Sequence, residues 1–145
     1  MNVNLLAYLK HEEQLLQEIV VLAEKQQQAL IKYDAQMLDE IISYQNVMNQ
    51  SLKKAEENRI TMIMNWLSIS KSDAAKLKLS ALENNFPKED MKELRKLRSS
   101  LRSLITTLNS LNNTNRVLTN RARISVSEMI THFTNGRNYV CNVKV

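Results

Sequence analysis

Between its single proline, Pro87, and its single glycine, Gly136, the chain holds nearly fifty residues, 88–135, with no helix breaker among them. Pro87 stands where the first turn of a helix tolerates proline. Glu89 and Asp90 put negative charge near the positive end of the helix dipole, and Gly136 after Asn135 is the residue favoured just past a helix end. At about 1.5 Å per residue, such a helix is a rod of about 70 Å, and it needs a partner along its length. The same scarcity of glycine and proline, with 5% aromatic residues, leaves no turn chemistry for β-hairpins elsewhere. Leu, Lys, Glu, Gln, Ala and Met all favour helix. The fold class is all-α.

Apolar residues place further helices. Leu5, Leu9, Leu16, Ile19, Ala23 and Leu30 recur at three-and-four spacing, and Leu6, Leu15, Val20 and Leu22 widen that stripe. A second stripe runs through Leu38, Ile41, Met48, Leu52, Ala55, Met62, Trp66 and Ile69, with Asp34 as its cap. The two helices are either continuous or kinked at Tyr33-Asp34. Ser70 or Ser72 caps a short third helix. The boundaries are about 3–32, 35–69, 73–84 and 87–135, with a tail over 136–145, all in one domain, 1–145. The long segment repeats close to a heptad, Leu94, Leu97, Leu101, Leu104, Leu108, Leu111, Asn115, Leu118, Ala122. A left-handed supercoil follows from that spacing. Its simplest partner is the Leu5 to Ile69 arm, folded back antiparallel, which gives an elongated antiparallel helical bundle or hairpin of about four helices with one very long C-terminal helix.

Net charge is +5, with acidic residues concentrated in the first arm and arginines in the second half. Arg95, Arg102, Arg116 and Arg123 share one heptad position beside the seam and offer a row of charge to a phosphate backbone. No aromatic residue interleaves with them, so no nucleic acid is expected; pairing with the acidic first arm accounts for the same residues. Glu56 and Glu57 beside Arg59 read as salt bridges within one helix. The lone Cys141 excludes an intrachain disulfide and fits the reducing cytoplasm. No apolar run approaches the ~20 residues of a membrane span, so no membrane insertion is expected.

Enzyme chemistry lacks its components. His11 and His132 lie far apart, and His11-Glu12-Glu13 points around a helix instead of along one face, which excludes a zinc helix motif. There is no phosphate-binding glycine loop and no nucleophile signature. The reading is no enzyme, no metal and no cofactor. The seven methionines, Met48, Met62 and Met129 among them, fill cores by default and repack readily around varied helices.

The segment Leu111 to Leu118, LNNTNRVL, places Asn115 where the seam wants leucine. A seam asparagine lowers stability but penalises wrong registers. It also marks where the bundle loosens and offers a mixed surface to another helix. Both roles stay open for Asn115.

Here the residues resemble a known family. Leu108 to Leu118, LNSLNNTNRVL, is similar to the Leu-x-x-Leu-Asn-x-x-Asn-x-x-Leu-Leu signature of the FlgN-type flagellar export chaperones, with Asn112 and Asn115 as its asparagines and Thr119 departing from its last leucine. LKKAEENRITMIM is like the family's Leu-x-x-x-Glu-x-x-Arg, with Arg59 as the arginine. The resemblance implies a cytoplasmic chaperone that binds the C-terminal amphipathic helices of flagellar hook-associated proteins and prevents their assembly before export. It also implies contact with the export apparatus, through a tyrosine that here is Tyr139 in NGRNYVCNVKV, without the family's glycines. Helix-in-groove binding assigns Leu111, Asn112, Asn115, Leu118, Ile124 and Met129 to the substrate's terminal helix. A homodimer is left open. The alternatives are a self-associating helical scaffold and a basic nucleic-acid-binding bundle.

Overall fold

The computed structural model describes residues 2–136, and every regular element among them is helical. α1, Asn2–Lys32, buries Leu5, Leu6, Leu9, Leu15, Leu16, Ile19, Val20, Ala23, Ala29 and Leu30. A stripe this wide suits a helix with a neighbour on each flank, and α1 packs along both α2, Ala35–Leu67, and α4, Lys88–Gly136.

The chain reverses between α1 and α2. Tyr33 adopts the left-handed conformation, φ 54°. The Asp34 amide bonds the Ala29 carbonyl at 3.0 Å and the Tyr33 amide the Leu30 carbonyl at 3.3 Å, which is the Schellman pattern. Asp34 then caps α2, its Oδ1 accepting from the Met37 amide at 3.0 Å. The resulting hairpin is antiparallel, tied near its tip by Gln45 to Gln26 at 2.8 Å and lower down by Arg59 to Glu12 at 2.6 Å. α2 ends in a second left-handed residue, Ser68, φ 52°, whose amide bonds the Met64 carbonyl.

Ser70 caps α3, Lys71–Lys76, by accepting from the Asp73 amide at 3.1 Å. The helix expected over 73–84 is divided: Leu77 and Lys78 are extended, and a 3₁₀ segment, Leu79–Asn85, follows. In one continuous α-helix Leu77 and Leu79 would point about 200° apart. The break lets both join the core that holds Ala74, Leu82 and Phe86. Trp66 meets Phe86 edge to face at 5.8 Å and closes the base.

α4 is the unbroken rod that the proline and glycine positions predict, and the Met91 amide bonds the Pro87 carbonyl at 2.9 Å at its start. Its orientation differs from the sequence expectation. Ser100 bonds Glu13 and Asn115 bonds Ala23, so positions ascend together and α4 runs parallel to α1. It is antiparallel only to α2. The cause is the reversal at Tyr33, which turns the arm, expected to be continuous or kinked there, into two antiparallel helices with α1 in the middle. The ion pairs differ as well. Arg59 pairs across the hairpin with Glu12 and not with Glu56 or Glu57. Arg95 and Arg98 pair with Glu83 of the 3₁₀ segment and not with the first arm.

Candidate functional site: the uncovered end of the long helix

The seam of α4 is not covered for its full length. Leu94, Leu97 and Leu101 are buried, and Leu104 and Leu108 pack partly against the same core. Asn115 meets Gln26, and α1 ends at Lys32, only six residues beyond. The equivalent advance along α4 reaches Arg121, so Arg121 to Gly136 extends past the hairpin tip by roughly 24 Å at 1.5 Å per residue.

The apolar stripe continues into this extension. Met129 keeps the heptad of Leu111, Asn115, Leu118 and Ala122, and a second step of four from Ala122 brings in Val126 and then Phe133, which at 100° per residue stay on the same side of a straight helix. Val126, Met129 and Phe133 are 51%, 60% and 65% exposed, although their phase is that of the buried leucines. This is an apolar stripe on the seam side of the helix with no helix of the described chain on it.

Beside this stripe, where α2 and α4 diverge above α1, lies an open cleft of about 430 Å³. Ile19 and Gln26 floor it, Gln45 and Asn49 wall it from α2, and Asn112 and Arg116 wall it from α4. Its volume exceeds by far the ~30 Å³ share of one water molecule. Gln26 joins the three long helices: its Oε1 accepts from Gln45 Nε2 at 2.8 Å and from Asn115 Nδ2 at 3.3 Å. Asn115 Nδ2 also donates to the Ala23 carbonyl at 2.9 Å. Because a carbonyl oxygen accepts only, the amide nitrogen has to face it, and Oδ1 is turned away from the Ala23 carbonyl. That oxygen is buried without a hydrogen-bond partner, a condition that costs about 1–3 kcal/mol.

The structure divides the residues singled out from the sequence. Leu111 and Leu118 are half-buried on the seam, Asn112 is exposed at the cleft, and Asn115 is 3% exposed and bonded to α1. Met129 lies on the uncovered stripe. Ile124, 52% exposed, is two residues from both Ala122 and Val126 and therefore projects from the opposite side of the helix. Tyr139 lies outside the described residues, as does the rest of the expected tail after Gly136. The heptad followed past Ala122 leads to Ser125, Met129 and His132, so Val126 and Phe133 emerge only from the 3.6-residue phase of a straight helix. Gln26 and Gln45 carried no local signal, since their meeting depends on the hairpin register.

Among the described residues no helix is long and apolar enough to cross a membrane, and no group of three His, Cys, Asp or Glu could hold a metal ion. A family model described as FlgN protein matches residues 1–140. No curated protein and no solved structure matches the chain.

Proposed function

The chain belongs to the FlgN family of flagellar export chaperones, and on that premise we propose that it binds the C-terminal amphipathic helices of hook-associated proteins in the cytoplasm, keeping them from assembling until the export apparatus takes them. The observation that carries this reading is the apolar stripe of α4, which continues through Val126, Met129 and Phe133 after its covering helix has ended. An amphipathic guest helix laid on that stripe buries its own apolar face and the chaperone's together, so two aggregation-prone surfaces are satisfied by one contact. Leu111 and Leu118 border the contact where the seam begins to open, and Asn115 holds α4 against α1 just below it.

The test is co-expression with the hook-associated proteins of the same genome. Capture by the wild-type chain and loss of capture by Met129→Asp with Phe133→Asp support the proposal. Absence of capture, or capture that the double substitution leaves intact, overturns it.

The same uncovered stripe also favours a second reading, a self-associating scaffold in which two copies pair through their extensions. Light scattering separates the two. A dimer that persists on dilution and ignores secreted proteins is the scaffold outcome.

A further inference from the structure

The hairpin carries an apolar surface of its own that no residue of α4 lines. A groove of about 460 Å³ runs between α1 and α2, with Glu18, Val21, Leu22 and Lys25 on one wall and Tyr44 and Met48 on the other. Val21 and Tyr44 are exposed, and so are Ile31, Tyr33, Ile42 and Val47 around them. Among the described residues, every large apolar side chain that the hairpin exposes lies in its upper half. A groove between two packed helices is shaped for a third. The lengths agree with the extension of α4. At 1.5 Å per residue, Tyr44 lies about 15 Å below the hairpin tip at Asp34, and Val21 lies about 17 Å below Lys32. Past the same tip, Met129 stands about 12 Å and Phe133 about 18 Å beyond Arg121. Two copies set tip to tip about a two-fold axis therefore lay each extension down the other's groove, with Phe133 of one level with Val21 and Tyr44 of the other. The charges agree at the same levels. Glu128 stands about 10 Å beyond Arg121 and Lys25 about 10 Å below Lys32, so the two come together. Arg121 and Arg123 come level with the tip, which carries Asp34 and Asp39 against Lys32. Lys25, Arg121, Arg123 and Glu128 have no ion pair among the described residues.

We propose that the groove between α1 and α2 receives the α4 extension of a second copy of this chain, reciprocally, so that two copies without a guest cap each other's apolar stripe. The pairing is closed: both grooves and both extensions are used, and no filament grows from it. It differs from a scaffold joined through two extensions, because the groove supplies half of every contact. Guest and second copy then compete for Met129 and Phe133. That consequence alone rests on the reading of the stripe as the guest site.

Sedimentation velocity of the chain without guest, over a dilution series, tests the contact. The expected result is a dimer that dissociates on dilution. Val21→Asp with Tyr44→Asp, both at exposed positions, raises its dissociation constant at least 100-fold. Met129→Ser with Phe133→Ser does the same, although the two pairs lie on different helices. Lys25→Glu and Glu128→Lys each weaken the dimer about fivefold, and the two together restore it to within about twofold. A chain that is monomeric at every concentration overturns the proposal. So does a dimer indifferent to the groove pair, which reassigns the contact to two paired extensions. Titration with the hook-associated protein then separates this inference from the chaperone reading. A guest that dissolves the dimer and binds the groove variant at least as tightly as the wild type supports competition. A guest whose binding the groove pair abolishes makes the groove a guest site and overturns the second copy as its occupant. A chain that forms this dimer and captures no hook-associated protein keeps the groove contact and removes the chaperone reading.

Discussion

At the base of α4, Leu94, Leu97 and Leu101 are no more than 7% exposed, enclosed by α1, Ile63, Leu82 and Phe86; at its tip, Val126, Met129 and Phe133 are at least half exposed on the same helical phase. The two ends obey one sequence rule and differ only in whether the chain supplies a second helix. The contrast shows that a heptad encodes a demand for a neighbour without saying which molecule provides it. At the base the demand is met internally and becomes stability. At the tip it is left unmet within the chain, and on the proposed reading a guest helix meets it.

The comparison breaks first at Leu94. This residue is fully buried, so Leu94→Ala removes side-chain contacts and leaves a cavity, and the expected loss is about 2–5 kcal/mol in urea unfolding. A loss under about 1 kcal/mol would mean the base is no better enclosed than the tip. The converse is Met129→Ser with Phe133→Ser. Unfolding stability stays within about 0.5 kcal/mol of wild type because neither side chain is covered. Guest affinity falls by roughly 100- to 10,000-fold, in keeping with about 1.5–3 kcal/mol for each of the two large apolar side chains that a partner buries. A stability loss comparable to that of Leu94→Ala would show that the stripe is covered within the chain after all.

How far the sequence reached follows the same division. The rod, its start at Pro87 and the caps at Asp34 and Ser70 were legible, because each is a local signal read within a few residues. The reversal at Tyr33 was not, since the left-handed position that usually attracts glycine is filled by tyrosine, and the chain has no glycine to spare there. With the reversal hidden, the parallel pairing of α1 with α4 was hidden too, and so was the junction of Gln26 with Gln45 and Asn115. At the tip, Met129 and Ile124 were both assigned to the substrate helix, and Met129 lies on the stripe. The phase of Ile124 puts it on the other side of the helix, which the sequence reading did not follow beyond Ala122.

A smaller effect sharpens the account of the base. Ser68 ends α2 in a left-handed conformation, φ 52°, that a side-chain-bearing residue enters at a cost of about 1 kcal/mol. Ser68→Gly is expected to raise stability by about that amount in urea unfolding, with no change in guest affinity, since this turn leads into the sealed end of α4. A matching change in affinity would show that the two ends of α4 are coupled.

The last difference is a slope with pH, and it arises in the hairpin below the tip. Glu12 is 5% exposed, and Arg59 Nε donates to its Oε1 at 2.6 Å. Burial raises its carboxyl above the ordinary value of 4.5 by more than the charge and hydrogen bond of Arg59 lower it; Glu56 adds to the rise and His11 opposes it. A raised value in the fold means that the protonated acid is favoured there. The stability it contributes is therefore complete below pH 4.5 and declines as the pH climbs through the raised folded value. Glu12→Gln cannot ionise, so between pH 4.5 and 7 the wild type is expected to lose thermal stability relative to this variant, while guest binding at the tip shows no corresponding change. Parallel pH profiles for the two proteins would instead mean that Arg59 compensates the buried charge completely, and the α1–α2 pairing would then be indifferent to pH throughout that range.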